Sequence, residues 1–188
     1  TAIIATTNRT LLVDLRTRKI LRQFKSNPQY GLQDALLSED GKTFTGVGHH
    51  DGSVVTWSVD SEDPIRVYPK ADGIQVYHHS PALGKLAVMS NDDEIRLYDL
   101  NTHDVRSILW PRKASAYADV KISPDGKRVY FVASGNTRGI LFWDLVENRV
   151  VRVYEDEFST AVAAVSSTAD SSLLVSGDRK GVAMLWDT

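Results

Sequence analysis

The chain reads as an all-β fold made of a repeated antiparallel sheet, and three observations predict it. Short apolar runs end at Val13, Trp57, Tyr98, Trp143 and Trp186, at intervals of 44, 41, 45 and 43 residues, and four of the five endings are followed by Asp. A fixed period in the low forties is the mark of a stacked repeat. Within each period the apolar residues alternate, or form short blocks rich in Val, Ile, Leu and Tyr, which is strand rhythm and not helix rhythm. No helical period of useful length interrupts them, so no βαβ crossover is expected and the sheets should be antiparallel.

Taken in order, AIIATT, TLLVDL and KILRQF supply three strands within residues 1–24. The fourth period is the clearest. YADVKIS (117–123) is a strand and SPDGK (123–127) a tight turn, in which Pro124 presets its backbone angle, Asp125 bonds its own main chain and Gly126 tolerates positive φ. RVYFVAS (128–134), GILFWDL (139–145) and RVVRVYE (149–155) complete that unit. SEDGK (38–42), SPALGK (80–85) and TADSS (168–172) are versions of the same turn, and HHDGS (49–53), NDDE (91–94), GNTRG (135–139) and GDRKG (177–181) are loops before each third strand.

The period, the SPDGK-type turn and the aromatic-Asp endings at Tyr98-Asp99, Trp143-Asp144 and Trp186-Asp187 resemble those of WD-repeat β-propellers. The resemblance covers essentially the whole chain and implies four-stranded blades set radially around a channel. It implies a partial blade at 1–24, complete blades at about 32–68, 74–109 and 117–154, and a partial blade at 162–188. The register starts and stops in mid-blade, so the expectation is a single propeller segment, to be completed by remaining blades or by a second copy. The sequence also departs from the family. Where its Gly-His pair belongs stand Asn27-Pro28, Pro69-Lys70, Arg112-Lys113 and Glu157-Phe158. The family's loop aspartate is matched by Asp51 and Asp92, while Thr137 and Lys180 replace it in the last two repeats. The buried Asp-His-Ser/Thr-Trp network therefore cannot form in its usual version, and apolar packing should hold the blades.

At 188 residues, with 42% apolar and 24% charged residues, the chain can bury a core and fits one domain. A net charge of −2, with basic residues scattered, argues against a nucleic-acid backbone as partner. There is no cysteine, which excludes disulfides and thiolate chemistry and suits a reducing, cytoplasmic or nuclear setting. No apolar run approaches bilayer-spanning length and no signal pattern opens the chain, so no membrane is expected.

The polar clusters carry no recognisable catalytic or metal-binding spacing. His78 and His79 lie on an inner strand, where neighbours point to opposite faces, a poor geometry for one metal ion. Asp92, Asp93 and Glu94 sit together in one turn, where Asn and Asp are selected for backbone reasons. There is no GxSxG elbow, phosphate loop or GxGxxG. The expectation is no enzyme activity, no cofactor and no metal. Trp57, Trp143 and Trp186 hold the repeat's aromatic position and should be buried, while Trp110, before Pro111, Arg112 and Lys113, could anchor a partner.

The function expected is a non-catalytic scaffold that docks proteins or peptides. By the resemblance, the docking face is built from the outer-to-inner connections and the loops before the third strands. Its candidates are Tyr30, His50, Asp92, Asp93, Trp110, Arg112, Lys113, Arg138, Phe158 and Arg179. The rivals are an accessory propeller of a multidomain enzyme and a subunit of a nucleic-acid assembly.

Overall fold

A computed structural model describes residues 1–6, 9–24, 32, 34–48, 50–109, 116–134, 139–155 and 160–188, the side chains of 116, 117, 134 and 152–155 excepted. Among them, eighteen strands form five antiparallel sheets in chain order. Sheet 1 holds β1 (Ala2–Ala5), β2 (Thr10–Asp14) and β3 (Lys19–Phe24). Sheet 2 holds β4 (Asp34–Leu37), β5 (Thr43–Val47), β6 (Val54–Ser58) and β7 (Pro64–Val67). Sheet 3 holds β8 (Ile74–Ser80), β9 (Lys85–Ser90), β10 (Glu94–Asp99) and β11 (Val105–Leu109). Sheet 4 holds β12 (Ala116–Ile122), β13 (Arg128–Ser134), β14 (Gly139–Asp144) and β15 (Arg149–Glu155), and sheet 5 holds β16 (Val162–Ser167), β17 (Leu173–Asp178) and β18 (Ala183–Asp187). No helix among the described residues is long and apolar enough to cross a membrane.

Successive sheets meet face to face across four apolar seams. Because strand side chains alternate, the middle strands must be apolar on both faces. On β9, Leu86 and Val88 enter the seam with sheet 2, while Ala87 and Met89 enter the seam with sheet 4. On β13, Val129, Phe131 and Ala133 face sheet 3, and Tyr130 and Val132 face sheet 5. This is why KLAVMS and RVYFVAS read as near-continuous apolar blocks.

The periodic aromatic turns to the preceding sheet each time. Trp57 stacks on Phe44 at 5.1 Å, and Phe44 meets Phe24 of sheet 1 edge-on at 4.6 Å. Tyr98 meets Tyr68 of sheet 2 at 5.0 Å. Trp143 lies with Met89 and Leu97 of sheet 3, and Trp186 with Tyr130 and Val132 of sheet 4. Truncating such a ring in a tight core costs roughly 3–5 kcal/mol.

Polar pairing within the seams is sparse. Trp186 Nε1 donates to Ser176 Oγ at 2.8 Å. At that cross-strand position sheet 2 has Gly46 and sheet 4 has Phe131, and the buried Nε1 atoms of Trp57 and Trp143 have no partner among the described residues. At Gly46 a Cβ would lie 2.6 Å from Leu32 Cδ1, so a serine there would require Leu32 to shift.

The recurrent Asp that follows the aromatic serves the turn. Asp14 Oδ1 accepts the N–H groups of Arg16 and Thr17, Asp99 Oδ1 those of Asn101 and Thr102, and Asp144 Oδ1 those of Val146 and Glu147. Four residues after each Asp, Arg18, His103 and Asn148 take positive φ of 57°, 65° and 52°. The SPDGK-type turn is equally regular. Ser123 Oγ donates to Asp125 Oδ1 at 2.6 Å and Asp125 accepts Lys127 N–H at 3.0 Å, as Asp40 and Asp170 do in their own turns. Ser171 replaces the turn glycine at φ 60°.

Two glycines with the same dihedral separate backbone strain from close approach. Gly41 (φ 69°) has nothing within 4 Å of a built Cβ, whereas at Gly52 (φ 66°) that atom would lie 2.0 Å from the Ala71 carbonyl oxygen. Gly41→Ala should cost about 1 kcal/mol, the usual left-handed penalty. Gly52→Ala should cost at least about 3 kcal/mol, because backbone must move. Equal urea-unfolding losses for the two variants would contradict this account.

Candidate functional site

The rim that carries the outer-to-inner connections is built by backbone ties around residues 69–73. Ala71 N–H donates to Gly52 O at 3.0 Å, and Asn91 N–H donates to Asp72 O at 3.0 Å. The connection between sheets 2 and 3 is therefore held between the 50–53 and 91–94 turns. Lys70 Nζ pairs with Asp51 Oδ2 at 3.2 Å, and the carboxylate of Glu94 accepts both Nε and Nη2 of Arg96. Asp51 is held below the usual carboxylate range: the Ser53 hydroxyl and N–H and the Lys70 ammonium outweigh the opposing effect of burial, the largest single influence. In sheet 5 the same tie recurs, with Arg179 N–H donating to Ala161 O at 3.2 Å and Thr160 Oγ1 to Asp178 Oδ2 at 2.7 Å.

His50, Asp92, Asp93 and Arg179 lie on this rim. His50 and Arg179 are exposed in their turns. Asp92 is exposed, but its Oδ1 accepts Ser90 Oγ and Glu94 N–H, so it shapes the turn. Asp93 is half-buried at φ 61°. The structure brings His50, Asp92 and Asp93 to the two turns flanking residues 69–73 and leaves Arg179 on the corresponding turn of sheet 5. Tyr30, Trp110, Arg112, Lys113, Arg138 and Phe158 lie outside the described residues. Among the described residues no group of three or more His, Asp or Glu could hold a metal ion.

A second set of polar residues runs along the inner strands, where sheets 2 to 5 are bonded each to the next. Asp34 on β4 accepts Ala35 N–H at Oδ1 and the Tyr77 hydroxyl of β8 at Oδ2. His78 Nδ1 on β8 accepts Ile122 N–H of β12 at 3.2 Å. Asp119 on β12 accepts Val120 N–H at Oδ1 and Val165 N–H of β16 at Oδ2, 3.1 Å away. Burial first, then the neighbouring Asp34 carboxylate, push the Tyr77 phenol well above its ordinary range. Burial, then Lys121, push His78 down from 6.5 to about 4 against the opposing pull of Asp119, so it is neutral at pH 7 and free to accept. His79, on the opposite face of β8, is lowered by burial too.

No family model matches the chain. Among solved structures it is similar to hydrazine synthase from Kuenenia stuttgartiensis, a β-propeller-containing protein, with a TM-score of 0.68 at 20% identity over 91% of this chain and 49% of that one. The fold is propeller-like. The chain spans about half the length of that structure, and its five antiparallel sheets are consistent with propeller-like blades.

Sequence reasoning missed the inner-strand bonds of these blades. Asp34 and Asp119 occupy the same register, opposite Val47 and Val132, and Tyr77 and Val165 are also equivalent, opposite Val88 and Ser176. The signal was a polar residue recurring on inner strands. The aromatic-Asp endings overshadowed it because a single Asp on a strand has no motif around it.

Neutral His78 makes stability pH-dependent. Its folded pKa of about 4 lies below the ordinary 6.5, so on acidification the unfolded chain takes up the proton first. Its contribution is fully present above about pH 6.5 and falls as pH drops toward 4. Urea midpoints measured across this window should decline more steeply for the parent chain than for His78→Asn, which keeps an acceptor that does not titrate. Equal slopes would show that His78 carries no such linkage.

Proposed function

We propose that this chain is a non-catalytic interaction module, a divergent propeller segment of WD-repeat type that docks a protein or peptide on the rim around residues 69–73. The observation that carries the reading is that rim. Its connection is tied by backbone bonds to turns on both sides, so exposed side chains such as His50 are displayed on a rigid frame. A preorganised display loses little conformational entropy on binding, and aromatic or cationic anchors then supply most of the affinity.

The segment also offers apolar surface for further blades or a second copy. Beyond the four seams, sheet 1 turns Ile4 and Ile20, 45% and 62% exposed, away from sheet 2, and sheet 5 turns Val175 and Leu185, 42% and 67% exposed, away from sheet 4. These faces repeat the alternation that fills the internal seams. A role as the accessory propeller of a larger enzyme is compatible with the same surfaces, and the similar structure is named for an enzyme, hydrazine synthase.

The rim reading is tested by His50→Ala combined with Arg179→Ala and, separately, Trp110→Ala. Capture of binding partners from a lysate should fall at least about tenfold, as for interface hot spots. For the His50/Arg179 variant the melting temperature should stay within about 2 °C of the parent, because surface substitutions away from packed features are nearly neutral. Loss of capture that always accompanies unfolding, or capture that survives all three changes, would sink the reading.

A further inference from the structure

The opposite rim carries a feature that the rim reading does not use. Between blades 2 and 3 a groove of about 640 Å³ opens among the SEDGK turn, the SPALGK turn and the β10–β11 turn. The corresponding space between blades 3 and 4 is only about 180 Å³. There Leu83 lies over Gly126, 3.2 Å from its built Cβ, and Arg106 donates to Leu145 O at 2.9 Å, bridging the two blades. At this groove the two sheets are joined instead at the edge, by the Tyr68 hydroxyl and His103 Nδ1.

Its walls change character with depth. Toward the first rim the seam is closed by Val47, Val54, Ala71 and Ile74. Toward the second rim the same strand faces carry Thr43 and Thr45 on β5 and His79 on β8, and the wall is polar. Thr45 is 2% exposed, and its hydroxyl pairs with that of Thr56 at 2.9 Å. His103 Nδ1 is tied to the Tyr68 hydroxyl at 3.1 Å, fixing a second imidazole at the groove edge. His79 Nε2 is buried without a hydrogen-bond partner among the described residues. A desolvated nitrogen without a partner is costly.

The charge is one-sided. Glu39 and Asp40 line the groove, and no Lys or Arg does. Glu39 forms no ion pair among the described residues, and Asp40 is spoken for at Oδ1 by Ser38 Oγ and Lys42 N–H. Leu36, Ile65 and Leu100 supply apolar wall between these polar ends. The groove thus offers spread acceptors, a carboxylate mouth and an aliphatic side, with no Lys or Arg in its lining.

We propose that this groove is a docking site for an arginine side chain of a protein or peptide partner. A guanidinium presents five donors in a planar fork and is weakly hydrated, so it can meet carboxylate, hydroxyl and carboxamide acceptors on both walls at once. A lysine ammonium is a strongly hydrated point charge and fits such spread acceptors less well. The aliphatic stem lies along Leu36 and Leu100 while the head stays polar. Burial keeps His79 neutral, so it adds no repulsion to an incoming cation. The site is independent of the first rim, and its failure would leave that reading untouched.

The test uses the full 188-residue chain, labelled with ¹⁵N and titrated with a blocked Gly-Arg-Gly peptide and its citrulline counterpart at low salt. Saturable amide shifts should appear at 38–45, 79–84 and 100–103, with the citrulline peptide at least about tenfold weaker, since it lacks the charge that strengthens these bonds. Glu39→Gln, which removes an exposed carboxylate, should weaken the arginine peptide about threefold to fivefold. Ala82→Trp, at an exposed turn position, should fill the groove and abolish the shifts while leaving the melting temperature unchanged. The proposal is overturned by an absence of saturable shifts, by equal binding of the citrulline peptide, by shifts confined to the first rim, or by undiminished binding to a folded Ala82→Trp chain.

Discussion

Every other feature of this molecule depends on sheets packing face to face on both sides. A sheet that sits between two others has no solvent face, so its middle strands must be apolar in both directions. The described residues of β9, β13 and β14 meet that demand almost without exception. Polar atoms are pushed to the strand ends, where turns must satisfy them. The Asp residues after the third strand and in the SPDGK-type turns do this with side-chain oxygens that accept nearby N–H groups. Core composition and turn composition are thus two sides of one constraint.

Because each apolar cluster among the described residues joins two successive sheets, stability is close to a sum of seam terms. The seams are unequal. The one between sheets 3 and 4 gathers Met89, Leu97, Phe131, Leu141 and Trp143 and is bridged by Arg106 at its second rim. The one between sheets 2 and 3 is apolar over only part of its depth, then turns to threonine and histidine. Polar wall in a seam is tolerated where hydroxyls pair, as Thr45 and Thr56 do. It lowers the seam's hydrophobic contribution all the same.

Much of this architecture was legible in the sequence. The all-β class, the antiparallel pairing and the burial of Trp57, Trp143 and Trp186 follow from period-two alternation and the aromatic spacing. Apolar packing was the expected glue between sheets, and among the described residues the seams are apolar, with an indole bond from Trp186 to Ser176. The candidate rim was legible in part. Asp92 was correctly suspected as a turn residue, and its contacts with Ser90 and Glu94 give the reason. The inner-strand bonds and the groove were not legible, since both arise from residues about one repeat apart that meet only across a seam. Thr45 and His79 have no common motif, and neither do Asp34 and Tyr77.

The inner-strand bonds share a direction. Asp34, His78 and Asp119 are all acceptors on the earlier sheet, and each donor lies on the later sheet at the next register position. The stack is therefore polar in the sense that a row of arrows is polar: its repeats cannot be reversed or shuffled freely. An exchanged repeat would keep its apolar faces yet arrive with an acceptor where a donor is needed, or none at all. The order of the repeats is written into the chain as a grammar of neighbours, on top of the mere fact of repetition.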